Sequence, residues 1–231
     1  MPRRAGDGRR RVRDVLGAFV ALLIMTVPAC APAEAPECAA GLHESGYRVL
    51  FDGSRVSLEQ WQMTGPGAFE LSAECSMVTR GGMGLLWFPE EFEDYILRLD
   101  WAITDDDNSG VFVGFPDPGH EVWTAVNEGY EVQIDPSDAP DRTTGSIYTF
   151  QGADAQARDR AVNPAGDWNT YRIAVRDGRI RVHLNGVLVN EFTSDQPDRD
   201  LDSGHIGLQN HGEDDVVRFR NVQILELARS E

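Results

Sequence analysis

The sequence of 231 residues contains no lysine, and all 21 of its basic residues are arginine. This excludes mechanisms that depend on a lysine side chain, such as a Schiff base, a phosphate-binding P-loop or a Ser-Lys dyad. The chain also lacks the G-x-S-x-G, H-E-x-x-H and C-x-x-C motifs. Standard nucleophile and metal signatures are therefore absent. The length and the 41% hydrophobic content fit one globular domain with extensions, or at most two small domains.

Positive charge is scarce, since the 21 arginines face 38 acidic residues and give a net charge of −17. Six of the arginines precede Cys30, so residues 30–231 carry 15 basic against 36 acidic side chains, a balance of −21. A surface this acidic repels phosphate backbones and anionic lipid headgroups. We therefore expect no nucleic-acid partner and no adhesion to membranes through a basic patch. Neutral ligands, such as sugars, and cations are compatible with this charge.

Long apolar runs are missing as well. Residues 15–27 form an uncharged run of 13 residues behind six arginines, which is typical of a signal peptide and too short to span a bilayer comfortably. The run ends in Val27-Pro28-Ala29-Cys30, which resembles a lipobox with an unusual proline. We predict a signal peptide over residues 1–29, lipidation of Cys30 and a tether over residues 30–45. Ordinary cleavage without lipid is the alternative.

Both routes predict an exported protein. With lipid, it sits at the outer face of the cell membrane and touches the membrane only through the anchor; without lipid, it is secreted or periplasmic. Disulfides persist in such compartments. The chain has three cysteines, and lipidation of Cys30 would leave Cys38 and Cys75 as an even remainder, which suggests one bridge. Two unpaired thiols are the alternative.

Short β-rich runs separated by turn residues fill the chain after Leu42, and no long helical period occurs. Residues 170–192 predict a three-stranded meander, because Asp-Gly at 177–178 and Asn-Gly at 185–186 supply the positive φ angles of two-residue hairpin turns. We predict an all-β sandwich or jelly roll of two sheets over residues 46–228, with a helical turn at 154–159. Further predicted strands cover residues 96–103, 110–115, 130–134, 205–209 and 216–227.

One strand carries a row of polar side chains. Glu131, Gln133 and Asp135 lie at i, i+2 and i+4 and therefore share one face, while the apolar residues between them share the other. The apolar face predicts core. A solvent-facing strand would show the same alternation, so the row alone leaves its role open. The acidic clusters 105–107 and 213–215 favour solvated turns over calcium sites, because neither has the spacing of an EF-hand.

Polar residues at the ends of two other predicted strands favour a functional role for the row. Asn108 leads into one apolar strand, and Gln209 and His211 end another. Amides, carboxylates and an imidazole that converge from several strands can hydrogen-bond the hydroxyl pairs of a sugar. Tyr148 and Trp123 are candidate aromatic platforms for the sugar ring, with a core position as the equal alternative.

Eight short motifs occur in order along residues 47–227. They are Leu50-Phe51-Asp52-Gly53 with Trp61, Asn108-Ser109-Gly110-Val111-Phe112, Gly129-Tyr130-Glu131-Val132-Gln133-Ile134, Thr144-Gly145-Ser146-Ile147-Tyr148, Gly166-Asp167-Trp168-Asn169, Leu184-Asn185-Gly186, Gly207-Leu208-Gln209-Asn210-His211-Gly212 and Phe219-Arg220-Asn221-Val222. With these motifs the sequence resembles the 3-keto-disaccharide hydrolase domain family, formerly a domain of unknown function. The resemblance implies a concanavalin A-like jelly roll with a concave sugar-binding face.

The resemblance also implies activity on glycosides that carry a ketone at C3. The ketone acidifies the C2 proton, so a base can remove it; the C1 substituent then leaves by β-elimination, and water adds to the enone, which gives net hydrolysis. Such a reaction needs a base near C2, an acid near the glycosidic oxygen and donors for the enolate. Glu131 is our first choice for the base, with His211 as the alternative base or as the acid. The predicted substrate-binding residues are Asn108, Gln133, Asp135, Tyr148 and Gln209.

One position departs from the family pattern, because Gly114 stands where many relatives carry an arginine. Counting alternate residues places it on the face of Asn108. Arg142 could substitute for that arginine, the site could be wider, or catalysis could be lost and binding kept. A divalent metal is compatible with the resemblance, and Asp135, Glu131 and His211 could supply its ligands, although their spacing does not demand a metal. The competing hypotheses are a lectin-like carbohydrate-binding module without turnover and a structural or partner-binding protein of the cell envelope.

Overall fold

The computed structural model describes residues 44–199 and 201–228. The predicted signal peptide, the lipidation site Cys30, nearly all of the tether and Cys38 lie outside the described residues. Cys75 is disulfide-bonded, while its pairing with Cys38 stays a prediction. Within the described part, no helix is long and apolar enough to cross a membrane.

Short strands dominate the described chain, with three short helices between them. In chain order the elements are β1 Arg48–Phe51, α1 Arg55–Leu58, β2 Gln62–Thr64, β3 Ala68–Leu71, β4 Met77–Arg80, β5 Gly84–Trp87, β6 Tyr95–Ile103, β7 Ser109–Phe115, α2 Thr124–Glu128, β8 Tyr130–Ile134, α3 Ala155–Ala161, β9 Asn169–Arg176, β10 Arg179–Leu184, β11 Val187–Thr193, β12 His205–Asn210 and β13 Val217–Glu226. The helical turn predicted at 154–159 is α3, and the side chain of Asp154 caps it by accepting from the Ala157 N–H.

The strands form two antiparallel sheets, which confirms the predicted all-β sandwich. The larger sheet has the order β11-β10-β9-β6-β13-β4-β3, with β1 paired to β13, and the smaller has the order β2-β5-β12-β7-β8. In the smaller sheet β12 lies between β5 and β7, although about 90 residues separate β7 from β12 in sequence. This crossover brings the end of β12, with Gln209, beside the start of β7, with Asn108.

The meander predicted at residues 170–192 is confirmed as β9, β10 and β11. Asp177 and Gly178 have φ angles of 49° and 70°, and Asn185 and Gly186 have φ angles of 49° and 85°. These left-handed pairs match the right-handed twist of the strands that they join. The register pairs Arg179 with Arg176 across the first turn, and the third strand follows the second without a long loop.

The hydrophobic core fills the space between the sheets. Four aromatic side chains help to fill it: Trp61, Trp101, Tyr171 and Phe219. Phe112 does not, because its neighbours Val111 and Val113 point into the core and alternation turns Phe112 outward. On the outer face of the smaller sheet it joins a second cluster, made of Leu85, Trp87, Phe112, Phe115 and Ala125.

A β-bulge interrupts β7 at Gly114. The pairing with β12 shifts there, since Ile206 pairs with Val113 and His205 pairs with Phe115, and Gly114 has a φ of 68°. The extra residue turns Phe115 to the outer face, where its ring lies 6.4 Å from that of Phe112. The bulge interrupts the alternation at position 114, so the assignment of this position to the face of Asn108 stays a prediction. A residue with a side chain would also be strained at this φ.

Candidate functional site

The predicted polar row lies on the outer face of the smaller sheet. Across the β7–β8 pair, Glu131 stands opposite Phe112 and Gln133 stands opposite Gly110, so all four share one face. Gln209 is on β12, the next strand along. Neighbouring strands are about 4.8 Å apart, which places the acid and both amides within roughly 10 Å of one another.

These side chains are buried, which sets the row apart from an ordinary solvent-facing strand. Glu131 is 5% exposed and Gln133 is 1% exposed. Four buried acceptor atoms here have no hydrogen-bond partner among the described residues. They are the Oε1 atoms of Glu131, Gln133 and Gln209 and the Oδ1 atom of Asn108. Because buried polar atoms are nearly always hydrogen-bonded, four such acceptors from three strands indicate a binding site.

The carboxyl group of Glu131 rests against Gly110. A β-carbon at Gly110 would overlap Oε1 of Glu131 and would lie 2.6 Å from its Cγ. The glycine therefore creates the space that the carboxyl group fills, a role that its place in the Asn-Ser-Gly segment did not predict. Burial raises the pKa of Glu131 to about 8, since the charged form loses its hydration.

Asn108 is held by its neighbours at the start of β7. Its Nδ2 donates to Oδ2 of Asp135 over 2.8 Å. The other oxygen of Asp135 accepts the N–H groups of Ser137 and Asp138 over 2.8 and 3.1 Å. Both carboxylate oxygens of Asp135 are thus engaged within the protein. The remaining polar atom of the Asn108 side chain, Oδ1, has no hydrogen-bond partner among the described residues.

His211 continues the row beyond the end of β12 and is paired with an aspartate. Its Nδ1 lies 2.8 Å from Oδ2 of Asp215, and Oδ1 of Asp215 accepts the backbone N–H of Asn108 over 2.9 Å. The interpretation of residues 213–215 as a solvated turn is wrong for Asp215, whose side chain is 17% exposed. The i, i+4 spacing from His211 was the available signal. The pairing leaves Nε2 of His211 available for a proton.

A hollow of about 320 Å³ opens beside the row. Phe112, which stands opposite Glu131, and Gln209 both line this hollow, so the hollow adjoins the polar row. Trp123, one of the two candidate platforms, also lines the hollow and is 49% exposed, so it is not a core residue. The other lining residues are Met83, Gly84, Leu85, Val122, Val126, Asn210 and His211.

Tyr148, the second candidate platform, borders the row on the far side of β8. An isolated bridge between Val132 and Ile147 sets Tyr148 opposite Glu131, and the Tyr148 N–H donates to the Glu131 carbonyl over 2.9 Å. The guanidinium of Arg142 lies 5.8 Å from the centroid of the Tyr148 ring. Arg142 is therefore at the β8 edge of the site, whereas Gly114 lines a different hollow of about 480 Å³.

The residues named as metal ligands do not form a metal site. Asp135 holds Asn108 and two backbone N–H groups, and His211 holds Asp215. Within residues 44–199 and 201–228, no three His, Cys, Asp or Glu side chains are grouped so that they could hold a metal ion. The polar groups of the row and its neighbours are one carboxyl group and several amides. Such groups suit hydrogen bonding to a polar organic ligand.

Comparison by sequence matches the chain to a family model and to a named relative. The sequence model of a family described as 3-keto-alpha-glucoside-1,2-lyase-like domain matches residues 46–225. A protein of Bacteroides thetaiotaomicron named 3-keto-disaccharide hydrolase is 23% identical over an alignment that covers 78% of this chain and 78% of the relative.

Comparison by structure finds the same sandwich in other proteins. A candidate glycosyl hydrolase of Parabacteroides distasonis superposes with a TM-score of 0.69 at 22% identity and covers 82% of this chain and 99% of its own. A carbohydrate-binding module of Bacillus subtilis superposes with a TM-score of 0.52 at 13% identity and covers 72% of this chain and 96% of its own. At these identities the likeness establishes the fold alone.

Proposed function

Because the chain belongs to the 3-keto-alpha-glucoside-1,2-lyase-like domain family, we propose that it is a carbohydrate-active enzyme that cleaves glycosides carrying a ketone at C3. The observation that carries the proposal is Glu131, a buried carboxyl group with one oxygen that has no hydrogen-bond partner among the described residues, beside amides whose oxygen atoms also have none. The name of the Bacteroides thetaiotaomicron relative supports the same substrate class.

In the first step Glu131, in its carboxylate form, takes the proton from C2 of the bound sugar. The electron pair of the C–H bond moves toward the C3 ketone and forms an enolate. Gln133 and Gln209 can turn an amide N–H₂ toward the enolate oxygen, because each amide offers both donors and an acceptor. Donors that are fixed in a water-poor site stabilise such developing charge strongly.

In the second step the enolate collapses, the C1–O bond breaks and the leaving oxygen takes a proton. His211 supplies that proton from Nε2, while Asp215 holds the imidazole at Nδ1. Water then adds across the C1–C2 double bond: the hydroxyl group goes to C1, the remaining proton of the water goes to His211 and restores the acid, and Glu131 returns its proton to C2. The net reaction consumes one water and cleaves one glycosidic bond. It does not use two carboxyl groups that flank C1, as ordinary glycosidases do.

The direct test is to incubate the purified domain with a 3-keto-glucoside and to follow enone absorbance and the released leaving group. We expect turnover by the wild type and a loss of about 10²- to 10⁴-fold in Glu131→Gln, which keeps the shape of the side chain but cannot act as a base. Gln133→Ala serves as the comparison for binding, since it should raise KM as well as lower kcat.

The alternative is a lectin-like module on the same fold. Tryptophan at the rim of a hollow and buried amides would serve a binding module equally well. That alternative requires binding of the 3-keto-glucoside without release of the leaving group, unaffected by Glu131→Gln. The third hypothesis, an envelope protein without a site, expected Glu131, Gln133 and Asn108 on separate surfaces, whereas they meet on one face.

We further propose that the protein works outside the cytoplasm, anchored through Cys30. The proposal rests on residues 1–30 of the sequence, and the disulfide at Cys75 supports an oxidising compartment. Metabolic labelling with palmitate in the native host should mark the wild type and fail to mark Cys30→Ser. Equal labelling of both, or none of either, would reject the lipid anchor.

A further inference from the structure

We infer that the 320 Å³ hollow beside Glu131 holds the leaving group and that it is built for a flat, apolar aglycone, such as an aryl group, rather than for a second sugar. This inference rests on the proposed function, because it names which 3-keto-glycosides the same site prefers.

The two halves of the site differ in chemistry. On β8 the groups that face the site are the polar side chains Glu131 and Gln133. Around the hollow the walls are mostly apolar, formed by Leu85 and Phe112 at the base and by Val122 and other apolar side chains around it. A sugar needs hydrogen-bond partners around its ring, and the polar side chains that line the hollow, Gln209, Asn210 and His211, all lie at the end of β12. The apolar walls suit a group that gains from leaving water.

Trp123 gives the hollow an aromatic surface. It is among the largest side chains in the protein, yet it is 49% exposed. Its backbone is fixed, because the Trp123 N–H donates to the Glu121 carboxylate over 3.0 Å and its carbonyl accepts from Asn127 over 2.8 Å. An indole held at the rim of a concavity offers a large contact area to a planar ring at little entropic cost.

The hollow also lies where the leaving group must go. Phe112 forms part of its wall and stands directly opposite Glu131, so about 5 Å separates the base from the start of the hollow. His211, the proposed acid, lines the same hollow. With the C2 proton at Glu131 and the glycosidic oxygen at His211, the substituent on that oxygen extends into the hollow.

The test compares two substrates in three proteins. The substrates are a 4-nitrophenyl 3-keto-glucoside, in both anomers, and a 3-keto-disaccharide, and the proteins are the wild type, Trp123→Ala and Trp168→Ala. Trp168 precedes β9 and stacks on Arg220 of the larger sheet, so it is a matched control outside the site. The readout is the ratio of kcat/KM for the aryl substrate to kcat/KM for the disaccharide. Nitrophenol is the better leaving group in every protein, so its advantage cancels when this ratio is compared between a variant and the wild type.

We expect Trp123→Ala to lower both activities and to lower the ratio about tenfold, which corresponds to ~1.4 kcal/mol, mostly through KM. Trp123→Phe should restore most of the ratio, and Trp168→Ala should leave it unchanged. An unchanged ratio in Trp123→Ala, with both substrates turned over by the wild type, would overturn the inference and leave the proposed function standing. Turnover of neither substrate by the wild type would overturn the proposed function and the inference together.

Discussion

The side chain of Glu131 on β8 rests against Gly110 of β7 and fills the space that a side chain at position 110 would need. All three atoms nearest to a β-carbon built at Gly110 belong to Glu131. The contact keeps the carboxyl group on the sheet and away from solvent, which raises the pKa of Glu131 to about 8. The glycine is thus a condition for the position of the proposed base.

Gly110→Ala should therefore destabilise the protein by about 1–3 kcal/mol, since it overfills a packed site, and should move the carboxyl group out of place. The check is a double-mutant cycle of unfolding free energies from chemical denaturation. In the background of Glu131→Ala the same change at Gly110 should have little effect, because the atoms it would overlap are gone. An equal loss of stability in both backgrounds would contradict the role assigned to the glycine.

Local patterns in the sequence predicted much of the sheet framework. The meander of β9 to β11 follows from two dipeptides at Asp177 and Asn185, whose φ angles are set by their own chemistry and by the following glycine. The face shared by Glu131 and Gln133 follows from the two-residue period of a strand alone. Both features depend on neighbours in sequence, so no knowledge of the tertiary structure was needed.

Features that depend on distant contacts escaped prediction. Glu131 is buried by packing on the outer face of the smaller sheet. The two-residue period of the strand shows that Glu131 is on that face, but it does not show whether that face is buried or exposed to solvent. The role of Asp215 requires β12, β7 and the loop before β13 to meet. The bulge at Gly114 depends on the register with β12, which the alternation of residues along β7 does not reveal.

The stability of the protein should depend on pH through Glu131. Its folded pKa of about 8 lies above the ordinary value of 4.5, so between these two values the unfolded chain has released the proton while the folded one retains it. Stability then falls as pH rises through this window, by up to about 1.4 kcal/mol for each pH unit. Denaturation midpoints across the window should show this fall in the wild type and a smaller one in Glu131→Gln. Parallel curves would contradict the raised pKa.

The same pKa predicts how the rate depends on pH. As a base, Glu131 must be deprotonated, so kcat/KM should rise about tenfold for each pH unit on the acid side and level off near pH 8. Initial rates with a 3-keto-glucoside from about pH 5.5 to about pH 9.5 would measure the profile. A rate that is already at its plateau near pH 5 would show that the working base is a different, ordinary carboxylate or that Glu131 is not buried during turnover.

Asp215→Asn tests the aspartate that orients the proposed acid. The amide cannot hold the imidazolium at Nδ1 of His211 as a carboxylate does, so protonation of the leaving oxygen should suffer by up to about 100-fold. Asp214→Asn is the matched control, because Asp214 is the adjacent acid and is exposed. The loss in Asp215→Asn should be large for a 3-keto-disaccharide and small for a 4-nitrophenyl 3-keto-glucoside, since nitrophenolate leaves without a proton. A loss that is equal for both substrates would mean that Asp215 only supports the backbone at Asn108, and His211 would then lose its place as the acid.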